Sequence, residues 1–182
     1  RTEYTHFDDT PNEDEWQAEV YDLASDLATN LGYTKIADVG CGSGFKLIKH
    51  FSELEMIGYE IEPTLSKLRE KYPALEWEES DFDSTPRKAD LVICSDVIEH
   101  VLDPDELVQY LLKFEAKDYV ISTPERDLVY GIGNYGPPGN PTHIREWNRE
   151  EFRTYLSRYF NVDFHNITNE EQCTQTVLAS RK

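Results

Sequence analysis

The sequence predicts an α/β fold: a mostly parallel sheet with helices on both faces, closed by an antiparallel hairpin near its carboxyl end. Three observations carry that prediction. Apolar runs of strand length alternate with segments of helical period from residue 16 onward. A glycine-rich turn, Asp38-Val39-Gly40-Cys41-Gly42-Ser43-Gly44, joins the first strand to the next helix. The run at 89–94 is apolar with no polar alternation, as suits a strand buried on both faces.

Each element follows from local pattern. Trp16, Val20, Leu23, Ala24, Leu27 and Leu31 fall at helical spacing, and Gly32 supplies the stop. A strand at 35–39 runs into the glycines. Phe45, Leu47, Ile48 and Phe51 then predict a helix beginning near Gly44. Residues 56–60 read as a strand, 63–72 as a helix with Pro63 in its first turn, and 75–77 as a short strand before the loop that holds Asp81. Asp103 can N-cap a helix from Pro104 to about Phe114, and a strand at 118–122 ends at Thr123-Pro124. No period survives between 125 and 147, a segment rich in Gly, Pro and Asn. Loops of that length in a compact domain are functional or disordered. Asn148 and Glu151 form a capping box for a helix to about Tyr159, and strands at 162–167 and 174–179 make the closing hairpin with a long connection.

The 182 residues suit one domain, with 1–15 as an irregular arm and 124–147 as a long substrate-side loop. Nothing reads as a signal peptide or a transmembrane helix, so membrane insertion is not expected. Cys41, Cys94 and Cys173 are scattered, neither a disulfide framework nor zinc spacing, which fits a cytoplasmic location. The formal net charge of −18 disfavours nucleic acid and anionic membrane as partners. Its plainest reading is a solvated acidic surface. The oligomeric state is not legible.

A strand, glycine turn and helix let backbone approach a ligand closely. Phe45 stands where a dinucleotide fingerprint needs its third glycine, and Asp38 suits a cationic, amino-acid-bearing ligand better than a pyrophosphate. The pattern D-x-G-x-G-x-G resembles the first motif of class I S-adenosylmethionine-dependent methyltransferases. The resemblance covers roughly residues 36–122. It implies a Rossmann-like, seven-stranded fold and S-adenosylmethionine as cofactor. Asp38, Gly40, Cys41, Gly42 and Gly44 would form the cofactor loop, with Ser95 lining the site. Glu60, at the end of the second strand, would accept the ribose hydroxyls, with Glu62 as a rival. By the same resemblance Asp81 would accept from the adenine amino group while Phe82 or Ile61 packs on the ring. Read without the family, Asp81 is equally a loop cap.

The segment Ser95-Asp96-Val97-Ile98-Glu99-His100 places Asp96, Glu99 and His100 at i, i+3 and i+4, on one face of a helical turn. Two carboxylates and an imidazole there can hold a divalent cation such as Mg or Mn, or can line the cofactor pocket. A later segment, His143-Ile144-Arg145-Glu146-Trp147, precedes the capped helix. The pair of segments resembles the metal-dependent methyltransferases that modify the terminal 2′-hydroxyl of small RNAs. That resemblance implies Asp96, Glu99, His100 and His143 as metal ligands, with aspartate a shorter first arm. The Glu99-His100 segment also resembles ubiquinone-pathway O-methyltransferases, and the long loop is similar to loops of bacterial methyltransferases encoded near sugar-transfer enzymes. Without a metal, His100 or His143 can serve as general base beside Glu99, or His143 is a structural loop residue. Arg126 and Arg145 can meet an anionic substrate group or pair with Asp127 and Glu146.

The expected function is therefore methyl transfer to a hydroxyl of a small-molecule or glycan acceptor, assisted by a divalent metal. Two alternatives stand beside it: methylation of the 3′-terminal ribose of RNA, and a non-catalytic S-adenosylmethionine-binding regulatory or partner protein.

Overall fold

The computed structural model describes residues 16–182, so the arm expected at 1–15 lies outside the described residues. Helix α1 (Ala18–Leu31) leads to β1 (Lys35–Val39), α2 (Phe45–Phe51), β2 (Glu55–Glu60), α3 (Thr64–Lys71) and β3 (Trp77–Glu79). The second half runs β4 (Leu91–Ser95), a 3-10 turn (Ile98–His100), α4 (Pro104–Lys113), β5 (Asp118–Pro124), α5 (Arg126–Tyr130), α6 (Arg149–Leu156), β6 (Phe160–Asn169) and β7 (Thr174–Arg181). The strands form one seven-stranded sheet in the order β3-β2-β1-β4-β5-β7-β6. Strand β7 is antiparallel to both β5 and β6, and the other pairs are parallel. This is the Rossmann-like fold with a C-terminal hairpin that the sequence implies. Strand order reverses between β1 and β4, and ligands of such sheets bind in the crevice that opens there.

The core sits on both sides of the sheet because alternate strand residues point to opposite faces. Ile36, Leu91, Ile93 and Val120 pack with Val20, Ala24, Leu47 and Leu68 on one face. Ala37, Val39, Val92, Cys94 and Ile121 pack with Leu107, Leu111, Phe152 and Phe160 on the other. Each fully buried aliphatic or aromatic side chain contributes about 1.5–3 kcal/mol. Gly58 makes room in this packing: a Cβ there would lie 2.5 Å from the Trp77 ring and 2.7 Å from the Cys41 sulfur.

Several boundaries differ from the sequence reading. The buried face of α1 is Val20, Tyr21, Ala24 and Ala28, while Trp16 and Leu31 are exposed at either end. Strand β3 lies at Trp77–Glu79 rather than 75–77, because Leu75 closes a turn on the Tyr72 carbonyl. Pro63 is the N-cap of α3 rather than part of its first turn, and α6 ends at Leu156. The hairpin strands are longer than expected, so their connection is short rather than long. The aperiodic segment also contains a helix, α5, which Glu125 caps by accepting from the Leu128 N–H at 2.7 Å.

Candidate active site

At the carboxyl end of β1 the chain turns through Gly40, Gly42 and Gly44 at φ of 75°, 53° and 70°, a region costly for residues with a Cβ. At Gly40 space is also limiting, since a Cβ would meet Val97 Cγ2 at 2.3 Å. The glycine loop and the segment after β4 therefore touch across the crevice. Asp38 is fully buried, and its Oδ2 accepts from the Tyr21 hydroxyl at 2.8 Å. Glu60 spans the loop: Oε1 accepts from the Gly42 N–H at 3.0 Å and Oε2 from the Ile61 N–H at 2.7 Å. Cys41 turns its sulfur into the core beside Trp77 and leaves only backbone on the loop surface.

Asp81 accepts from the Asp83 N–H at 3.0 Å, which is the loop-capping arrangement. Phe82 is half-buried against the Tyr110 ring at 5.3 Å, whereas Ile61 is exposed on the same edge. Ser95 is buried and shares a 2.8 Å hydrogen bond with the Ser122 hydroxyl.

Beyond β4 the single helical turn expected for Asp96, Glu99 and His100 does not form. Asp96 takes a left-handed conformation at φ 53°, and only Ile98–His100 wind into a 3-10 turn. The Asp96 carboxylate is held by the Gln17 amide at 2.9 Å and the Ser122 hydroxyl at 2.6 Å. The grouping that does form is Glu99, His100 and His143, whose ligand atoms all lie within 4.8 Å of one another. Asp96 stands outside it. His143 is delivered from the long loop, where the Ile144 and Arg145 N–H groups donate to the Glu99 carbonyl at 2.7 and 3.3 Å. The His100 and His143 rings meet edge to face at 4.7 Å.

Burial governs the electrostatics of this cluster. Glu99 is almost wholly buried; desolvation, reinforced by Asp96, holds its carboxyl well above the usual range. Its Oε2 accepts from the Thr123 hydroxyl at 3.0 Å, and its Oε1 is buried without a hydrogen-bond partner among the described residues. Burial likewise raises Asp96, opposed by its bonds to Ser122 and Gln17. It lowers His100, opposed by the Thr142 carbonyl 3.0 Å from Nδ1. A carbonyl only accepts, so His100 Nδ1 carries the proton and Nε2 presents a lone pair. Two imidazoles beside a buried acid are a set of donors suited to a cation.

In the sequence Glu146 belongs to the His143–Trp147 segment and is a partner for arginine, and the structure assigns it elsewhere. Arg126 makes a bidentate pair with Glu151, at 2.7 and 3.1 Å, and lies 3.6 Å from Asp127. The buried Glu146 carboxylate instead takes His143 Nδ1 at 2.5 Å and the Tyr130 hydroxyl at 3.2 Å. The spacing His143 to Glu146 at i, i+3 is the signal that could have revealed it. Gln17, Thr123 and Tyr130 carry no sequence signal of their own.

The methyltransferase domain family matches residues 12–168 of the chain. No curated protein matches it. Among solved structures, the PH0226 protein of Pyrococcus horikoshii OT3 superposes with a TM-score of 0.70 at 18% identity, covering 98% of each chain. The methyltransferase domain of bacterial CtHen1-C gives 0.67 at 18% identity, over 90% of this chain and 97% of that one. Magnesium protoporphyrin IX methyltransferase from Synechocystis PCC 6803, with bound SAH, gives 0.67 at 18% identity, over 91% and 83%.

Proposed function

The chain belongs to the methyltransferase domain family, as a class I S-adenosylmethionine-dependent enzyme, and from that premise we propose that it methylates a hydroxyl of a small-molecule or glycan acceptor with the help of a divalent cation. The observation that carries the proposal is the convergence of Glu99, His100 and His143 beside the crevice where the glycine loop meets the end of β4.

The residues fit both groups. On the donor side, the positive-φ glycines leave open backbone, and Glu60 ends β2 where a ribose would lie. Asp38 supports the loop from below, Asp81 and Ile61 border the adenine side with Phe82 packed behind, and Ser95 closes the floor. On the acceptor side, Glu99 Oε1 is an orphaned buried acceptor, and Glu99 makes no ion pair among the described residues. Two imidazoles and one carboxylate suit Mn or another first-row ion better than Mg.

When bound, S-adenosylmethionine supplies an electrophilic methyl, and the cation makes the acceptor hydroxyl easier to deprotonate. Glu99 Oε1, His100 Nε2 and His143 Nε2 would hold that cation, the last on release of its bond from the Asn140 amide. In the cation-free protein, His143 Nε2 or His100 Nε2 can take the hydroxyl proton instead. Asp96, clamped by Gln17 and Ser122, would orient rather than ligate. The glycine loop and the 3-10 turn together fix the two reactants at short range, which supplies much of the rate.

The test is methyl transfer from labelled S-adenosylmethionine to a panel of hydroxyl, amine and carbon acceptors, including sugar glycosides, with Mn and with chelator. Label on hydroxyl acceptors that falls at least tenfold on chelation is expected. Label confined to nitrogen or carbon acceptors would sink the proposal.

A second reading, methylation of an RNA terminal ribose, is supported by the Glu99, His100 and His143 grouping and opposed by the net charge of −18. Binding of a short single-stranded RNA at low salt would favour it, and no binding would set it aside.

A further inference from the structure

The Glu146 carboxylate bonds His143 and the Tyr130 hydroxyl, and neither Glu146 nor Tyr130 enters the chemistry proposed above. We propose that they are positioning residues: they fix His143 in the tautomer that carries its proton on Nδ1 and leaves Nε2 as the lone-pair nitrogen. This rests on the reading of His143 as an acceptor-site residue.

The tautomer follows from a closed chain of hydrogen bonds. Asn140 Oδ1 accepts from the Thr142 backbone N–H at 3.0 Å and from the Thr142 hydroxyl at 2.8 Å. A backbone N–H can only donate, so the orientation of the Asn140 amide is set, and its Nδ2 is the atom 3.0 Å from His143 Nε2. An amide nitrogen donates, so Nε2 is the lone-pair nitrogen and Nδ1 carries the proton. That proton points at Glu146 Oε1, 2.5 Å away. The same oxygen accepts from Tyr130, whose hydroxyl in turn accepts from the Gly139 N–H at 2.9 Å. Gly139 is packed tightly on the Tyr130 ring, where a Cβ would meet ring atoms at 3.0–3.3 Å. Glu146 is itself buried, its Oε2 has no partner among the described residues, and its main chain is tied by the Arg126 guanidinium 3.5 Å from its carbonyl. The carboxylate thus makes both of its bonds, to His143 and to Tyr130, through Oε1. Histidines that ligate metals commonly donate their second ring N–H to a carboxylate in this manner, and loss of that partner weakens metal affinity by roughly 10–100-fold.

The experiment uses full-length protein with ¹⁵N-labelled histidine. Long-range ¹H–¹⁵N spectra of the metal-free protein read the His143 tautomer directly, and calorimetry with Mn²⁺ alone reads the cluster. Wild type is expected to show Nδ1–H. Glu146→Ala is expected to show a mixed or Nε2–H tautomer and at least about tenfold weaker Mn²⁺ binding, with S-adenosylmethionine affinity unchanged. Glu146→Gln, which keeps an acceptor, should restore the tautomer. Tyr130→Phe, which leaves the carboxylate in place, should change the tautomer less than Glu146→Ala and serves if that variant does not fold. Retention of the Nδ1–H tautomer in Glu146→Ala, or an Nε2–H tautomer in wild type, would overturn the proposal. If wild type binds no Mn²⁺, the cation reading fails while the tautomer measurement still decides this one.

Discussion

The two sides of the crevice are built differently. The proposed donor side comes from adjacent strand ends in the first half of the chain: the glycine loop after β1, Glu60 at the end of β2, and Asp81 after β3. The proposed acceptor side joins distant segments, with Glu99 and His100 after β4 and His143 on a loop whose Thr142, 42 residues beyond His100, bonds the His100 ring. On the proposed reading, donor recognition is a property of the scaffold. The proposed acceptor chemistry depends on the docking of one loop, through hydrogen bonds to the Glu99 carbonyl.

The largest effect should come from disturbing a point where the two sides touch. Gly40→Ala puts a Cβ at φ 75° within 2.3 Å of Val97 Cγ2. It is expected to cost roughly 2–4 kcal/mol of stability by denaturant titration. Gly133, at φ 89° on the acceptor loop with nothing within 4 Å of its would-be Cβ, is the control, and Gly133→Ala should cost about 1 kcal/mol. Equal costs would show that the contact with Val97 is not limiting.

Next in size are two substitutions that should separate the sides. Glu60→Ala removes an acceptor expected to take two ribose hydroxyls, each charged hydrogen bond being worth about 1.5–3 kcal/mol. Calorimetry should show S-adenosylmethionine binding weakened about 100-fold, with Mn²⁺ affinity intact. His143→Ala should do the converse, lowering kcat by about 10²-fold or more while leaving cofactor affinity within about twofold. A loss of cofactor affinity in His143→Ala would merge the two sides into one.

Smaller still is a test of the strand that both sides share. Asp90, just before β4, accepts from the Thr34 and Lys35 N–H groups and pairs with Lys117 at 2.9 Å. These bonds, led by that from Lys117, hold its carboxyl at about 2, below the ordinary 3.8. A depressed acid stabilises the fold above its unfolded value and loses that contribution as pH falls through the folded one. Asp90→Ala should therefore cost about 1–2 kcal/mol at neutral pH, after allowance for solvent screening. The difference should vanish between pH 4 and about 2, and a gap that persists in acid would assign the effect to packing instead.

The same contrast explains what the sequence revealed. The fold was legible because strand runs, the glycine turn and caps such as Asp103 and Asn148 are local signals, and the donor residues sit at strand ends that those signals locate. On the acceptor side the spacing of Asp96, Glu99 and His100 implied a shared helical face. The left-handed turn at Asp96 broke it, because tertiary bonds to Gln17 and Ser122 outweigh local helix preference. The short helix α5 was missed because its cap, Glu125, lies within a segment dominated by turn formers. Glu146 was visible as an acid but not as a histidine partner, since only the folded loop turns it away from arginine.

The division between a donor side and an acceptor side is tested most directly by calorimetry of S-adenosylmethionine on wild type, Asp38→Ala and His143→Ala. Wild type and His143→Ala should bind alike, and Asp38→Ala should not bind. Unchanged affinity in Asp38→Ala would contradict the assignment of the glycine loop as the cofactor site.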